Sequence, residues 1–172
     1  MLSVVIETHD DEGRLARTLS SLVPAAVEGV VRDVVVADRG SSDLTHRVAD
    51  TAGCVFVTGG DAATAIRKAR GDWLLFLEPG SRLMDGWMEA VTMHTETGTA
   101  PARFARSRDA RLPLLARVLM SERPLACGLV ITKRQAKVLA QPGINLQALA
   151  RGLAACRINA HIVPASTARR NR

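Results

Sequence analysis

The sequence predicts a single three-layer α/β domain with a mostly parallel sheet, and three observations carry that expectation. Four short apolar runs, rich in β-branched residues, alternate with segments of helical periodicity. The runs are continuously apolar, the pattern of strands buried on both faces. The connections are short and hold Gly, Pro, Ser and Asp, as the crossovers of a parallel sheet require.

The elements follow in order. Residues 2–7 (LSVVIE) form a first strand that ends in polar Thr8-His9-Asp10-Asp11. Residues 13–23 set Leu15, Leu19, Leu22 and Val23 on one helical face, with Pro24 as the stop. Residues 34–37 are a second strand, and the turn after it runs from Asp38 to Asp43. Ser41 or Ser42 can N-cap a helix to about Ala52, which Gly53 closes. Residues 54–57 form a third strand and 62–69 a helix that ends near Gly71. The fourth strand is 73–77, and Asp85 opens a helix through about Thr95. Beyond residue 98 the pattern loosens into a basic stretch over 103–111, a helix over 114–120 and a strand over 125–132. Helices over 134–140 and 147–155, a last strand over 160–163 and a frayed tail over 166–172 complete the expectation.

At 172 residues the chain makes one domain with a real core. No apolar run approaches the roughly 20 residues of a membrane helix. The start has no basic flank of the signal-peptide kind, so a soluble, cytoplasmic protein is expected. Cys54, Cys127 and Cys156 lack CxxC spacing and read as buried structural thiols. Four scattered histidines lack metal-ligand spacing, and no GxSxG or P-loop pattern occurs.

The net charge of +6 hides a division. Residues 1–100 hold nine basic and fifteen acidic residues, net −6, and residues 101–172 hold fourteen basic and two acidic, net +12. Five aromatic residues and no tyrosine supply a poor stacking platform, which argues against a nucleic-acid partner. Between 101 and 137, leucines lie among arginines. That pattern suits an amphipathic segment on an anionic membrane surface. It equally suits a solvated Arg-rich surface around a buried leucine helix.

In open α/β sheets ligands sit outside the carboxyl ends of the strands, so the ends of these strands are the positions to inspect. Ser3-Val4-Val5-Ile6-Glu7-Thr8-His9-Asp10 resembles the opening strand SVVIPTYNE of the family-2 glycosyltransferases, which have the Rossmann-like GT-A fold. Val36-Ala37-Asp38-Arg39-Gly40-Ser41-Ser42-Asp43 resembles their VVDDGSTD, and the stretch from Ala69 to Leu77 resembles A-x-GDWLLFL. Gly86-Trp87 also fits. The resemblance spans residues 1–90.

The resemblance implies transfer of a sugar from a UDP- or GDP-type nucleotide-sugar to an acceptor, a lipid-linked one being common among such enzymes. It divides the single domain 1–172 into a nucleotide-binding half (1–98) and a basic acceptor-side half (99–165). It implies that Thr8, Asp38 and Gly40 hold the nucleotide, Asp38 by accepting from the base, while Asp43 reads as a helix cap. Arg39, Arg67 and Arg70 are candidates for the diphosphate. Arg103, Arg106, Arg108 and Arg111 would face the acceptor or the inner face of the membrane. A Mn²⁺ or Mg²⁺ ion is implied too, but the family's Asp-x-Asp stands here as Glu78-Pro79-Gly80, which leaves Glu78 as a remnant metal ligand and also reads as a tight turn. Asn-x-Gly is missing at 63–65, and Asn145-Leu146 stand where the family's acidic base pair would be. Catalytic residues are therefore open. Glu122, Asp109, His94 and Glu7 are the groups that could serve as base. The alternative reading is a catalytically inactive relative that binds a nucleotide, a membrane or a protein.

Overall fold

β1 (Leu2–Thr8) and β4 (Trp73–Leu77) run side by side in parallel at the middle of an eight-stranded sheet in the computed structural model, which describes residues 1–107 and 123–165. Both strands are apolar on both faces because helices cover both. β2 (Val31–Asp38) pairs with the other edge of β1, and β3 (Val55–Thr58) extends the sheet outward, all in parallel. The chain therefore builds outward from β1 to β3 and then returns to place β4 on the opposite side of β1. That reversal is the switch point at which α/β sheets open a crevice.

Alternation along the strands feeds two cores. Val4, Ile6, Leu75 and Leu77 face α1 (Glu12–Val27), which buries Leu15, Leu19 and Leu22. Val5, Val35, Leu74 and Phe76 face α3 (Ala62–Lys68), which buries Ala62, Ala65 and Ile66. α2 (Thr45–Thr51) joins the first layer, as does α4 (Trp87–Thr97) through Trp87 and Val91. β5 (Arg82–Leu83), β6 (Ala102–Arg106), β7 (Leu129–Thr132) and β8 (Cys156–Val163) complete the sheet in the order β3-β2-β1-β4-β7-β6-β8-β5. β7 is antiparallel to β4 and β6, β6 is parallel to β8, and β5 is antiparallel to β8. α5 (Lys133–Leu139), with a Thr132–Gln135 capping box, and α6 (Leu146–Ala150) lie on the α3 side.

Several boundaries differ from expectation. α1 continues through Pro24 to Val27. The carbonyl that loses its helical donor belongs to Ser20, which is exposed and open to water. Ser41 and Ser42 do not cap α2, whose N-cap is Leu44, because both serines bond to aspartates of the neighbouring turns. The expected strand from 125 begins only at Leu129, and the expected helix over 147–155 is the five-residue α6. β6 lies in the stretch read as basic surface: its inward residues Ala102 and Phe104 are buried between arginines. Cys156 is exposed, while burial pushes the Cys54 thiol up to about 11. The expected helix 114–120, the tail 166–172, and Asp109 and Glu122 lie outside the described residues.

Candidate functional site

The carboxyl ends of β1, β2 and β4 and the start of α6 enclose a cleft of about 200 Å³ at the switch point, lined by Glu7, Thr8, Arg39, Glu78, Asn145 and Gln147 among others. In register, Thr8 lies opposite Asp38, which brings the ends of β1 and β2 together.

Asp38 organises this corner. Its Oδ1 accepts the Thr8 hydroxyl at 3.0 Å and the Ser41 hydroxyl, and its Oδ2 accepts the amides of Gly40 at 3.0 Å and Ser41 at 2.8 Å. Four donors match the four lone-pair sites of a carboxylate. Burial pushes this carboxyl up, but the hydrogen bonds from Ser41, Thr8 and Gly40 outweigh burial and hold it below the ordinary Asp value. Asp43 accepts the Thr45 amide at 2.9 Å and the Glu12 amide at 3.1 Å, a capping role at two helix starts.

Glu7 crosses the cleft. Its Oε2 accepts the amide of Leu146, the first residue of α6, at 2.7 Å, and its Oε1 lies 3.4 Å from Arg39 Nη1. Asn145 caps the same helix, accepting from the Ala148 amide at 2.7 Å. Burial raises the Glu7 carboxyl above its ordinary value, and the Leu146 amide and Arg39 offset only part of that.

The two carboxyls move stability oppositely with pH. A carboxyl held below its unfolded value stabilises the fold above that value, and the gain is lost as pH falls through the folded one. A carboxyl held above its unfolded value costs stability once pH rises past that value. Asp38→Asn is therefore expected to cost about 1–3 kcal/mol at pH 7, a cost that fades below the ordinary Asp value of 3.8. Glu7→Gln is expected to raise stability above the ordinary Glu value of 4.5 and to change little below it. Urea unfolding checks the two signs, with Glu7→Gln compared at pH 3.5 and 7 and Asp38→Asn at pH 2 and 7.

Glu78 directly follows β4 and is 3% exposed. Its carbonyl accepts the Ser81 amide at 3.1 Å, which makes the expected tight turn, with Gly80 at φ +92°. Its Oε1 accepts Gln147 Nε2 at 2.6 Å. Its Oε2 is buried and makes no hydrogen bond among the described residues, but lies 3.3 Å from Arg123 Nη2. These residues do not fit a divalent cation. Both Glu78 oxygens are engaged, Gly80 has no side-chain oxygen, and no group of three His, Cys, Asp or Glu converges among the described residues.

No family model and no curated protein matches the sequence. Solved structures do match. Glucosyl-3-phosphoglycerate synthase from Mycobacterium tuberculosis superposes with a TM-score of 0.61 at 20% identity, over 100% of this chain and 73% of that one. A structure of the same enzyme with Mn²⁺, UDP and glucosyl-3-phosphoglycerate gives 0.59 at 18% identity, over 91% and 69%. S. aureus TarS 1-349 gives 0.65 at 15% identity, over 86% of this chain and 52% of that one, so this chain spans about half its length. A further TarS structure holds UDP. The chain has the GT-A fold.

On this GT-A sheet the arginines expected near the diphosphate separate. Arg39 lines the cleft. Arg67 lies along its own helix, with Nη2 2.5 Å from Thr64 Oγ1 and 3.9 Å from Asp61. Arg70 is at the opposite, amino end of the strands, its amide 3.2 Å from Asp33, because α3 runs back across the sheet before β4 begins. Arg103 is not a free surface cation. It is half-buried and donates to the carbonyls of Pro124 and, at 2.8 Å, Ala150, so burial lowers its pKa. Arg106 is half-buried on β6, opposite Ile162 of β8. Arg108 and Arg111 lie outside the described residues. No helix among the described residues is long and apolar enough to cross a membrane. Gln147 also lines the GT-A cleft, and Arg123 lies beside it against Glu78; neither was among the site residues expected from the sequence. Nothing in their spacing marks them.

Proposed function

We propose that this GT-A domain binds a nucleotide-sugar of the UDP or GDP type in the cleft and passes its sugar to an acceptor. The observation that carries the reading is the cleft itself, open at the β1/β4 switch point between the Thr8–Asp38 corner, Arg39 and Glu78. Neighbours of the same fold hold UDP, and Arg39 supplies a charged donor suited to a phosphate oxygen. Thr8 and Gly40 would position the nucleotide alongside Asp38. Glu7 is the cleft carboxylate whose pKa burial raises, which brings it toward the range in which a general base works near neutral pH. The basic second half would face the acceptor, and its charge suits a phosphate-bearing or lipid-linked one.

A second reading, a binding module without turnover, is favoured by one observation: Asn145, where the resemblance would put an acidic base, is a helix cap that accepts the Ala148 amide. Calorimetric titration with UDP, GDP and their sugars, together with a nucleotide-release assay, tests both. Micromolar binding with slow release of UDP or GDP is expected. Glu7→Gln should keep the binding and lose at least tenfold in release. Binding with no release in any variant supports the module, and no binding at millimolar ligand removes both readings.

A further inference from the structure

We propose that Arg123, held beside the cleft by Glu78 and the Ala165 carbonyl, supplies the positive charge at its diphosphate end, so that this chain binds its nucleoside diphosphate without a divalent cation. The inference rests on the nucleotide reading of the cleft and deepens it. A carboxylate buried as Glu78 is needs a compensating charge close by. Here a guanidinium already provides one, 3.3 Å from Oε2. Two acids with a divalent cation are electrically neutral, and one acid with one arginine is neutral too. The pair thus keeps the charge balance of a metal site while replacing the exchangeable ion with a covalently attached one.

The geometry holds Arg123 in place. Nη2 also donates to the Ala165 carbonyl at 2.6 Å, and the Arg123 carbonyl accepts the Ala126 amide at 3.0 Å. Gln147 ties the two sides together: its Nε2 donates to Glu78 at 2.6 Å, and its Oε1 accepts the Leu125 amide at 3.1 Å. A guanidinium carries five donors. With Nη2 committed, nothing among the described residues accepts from Nε or Nη1. Those donors remain to give single charge-assisted hydrogen bonds to phosphate oxygens. The second acid of a metal site is excluded by more than composition. Gly80 sits at φ +92°, where an L side chain is strained, and a Cβ there would meet Arg14 Nε at 3.3 Å and the Ala165 methyl at 3.4 Å.

The test is titration with UDP and with GDP, in EDTA and in Mn²⁺, alongside electron paramagnetic resonance of Mn²⁺ with the protein alone. Affinities equal within about twofold in the two buffers, and an undiminished free-Mn²⁺ signal, are expected. In EDTA, Arg123→Gln should weaken binding at least tenfold and Arg123→Lys by less. Glu78→Gln, which keeps the guanidinium and removes its counter-charge, should bind more tightly than the parent protein in EDTA, so the proposal remains testable even if Arg123→Gln fails to fold. Binding that appears or rises tenfold only with Mn²⁺ overturns this inference and leaves the nucleotide reading standing. Absence of binding in either buffer overturns both.

Discussion

Gly71→Ala is expected to destabilise the protein by about 3 kcal/mol or more, lowering Tm by roughly 6–12 °C for a domain of this size. A Cβ on Gly71 would lie 2.7 Å from the Met1 carbonyl oxygen, 2.7 Å from the Ser3 amide nitrogen and 2.9 Å from the Leu2 carbonyl carbon. All three are backbone atoms entering the central strand, which is clamped between β2 and β4 and has no room to yield. The close approach serves a purpose. The Gly71 amide donates to Ser3 Oγ at 2.7 Å, Ser3 donates to Asp33, and the Asp72 amide reaches the Met1 carbonyl at 3.1 Å. Thermal and urea unfolding measure the loss, and a cost below 1 kcal/mol would mean that the segment shifts aside. Gly71 also belongs to the stretch that resembles A-x-GDWLLFL. That part of the resemblance lies at the end of the sheet opposite the cleft, so it reports on how the sheet is assembled.

The second large effect is expected at Arg123. Arg123→Met should cost roughly 2–3 kcal/mol by leaving the Glu78 charge buried without its partner, at the low end of such losses because a third of the arginine side chain is exposed. The double variant Glu78→Gln/Arg123→Met should recover most of that, since a neutral amide can keep the Gln147 hydrogen bond and leaves no uncompensated charge. Urea unfolding of the two single variants and the double variant closes the cycle. Equal losses in Arg123→Met and in the double variant would show that the arginine stabilises by packing alone.

The parallel half of the fold was legible because burial on both faces writes itself into the sequence as continuous apolar strands; residues 73–77 coincide with β4. The end of the sheet that forms the cleft was legible too, through the polar residues that terminate β1 and β2. Strand direction leaves no such mark, so β7 read as a strand without its antiparallel place between β4 and β6. β6 was hidden because the arginines at its ends made ARFAR look like surface, although Ala102 and Phe104 alternate inward. Arg103 misled for a related reason: its charge is spent on backbone carbonyls of segments distant in sequence. The Glu78–Arg123 pair joins two places that no local spacing relates.

β4 has one further consequence. Its outer neighbour β7 arrives only after the basic segment has been made, so a chain growing from its amino end presents WLLFL with one side unpaired for much of its synthesis. Five buried apolar residues, with the amides and carbonyls of that one edge free, are a template for strand addition by another molecule. A fragment that stops near residue 98 would keep that open margin permanently and should aggregate. The change of charge near residue 100 is therefore no seam along which the protein could be cut, because the acidic and basic halves share one sheet.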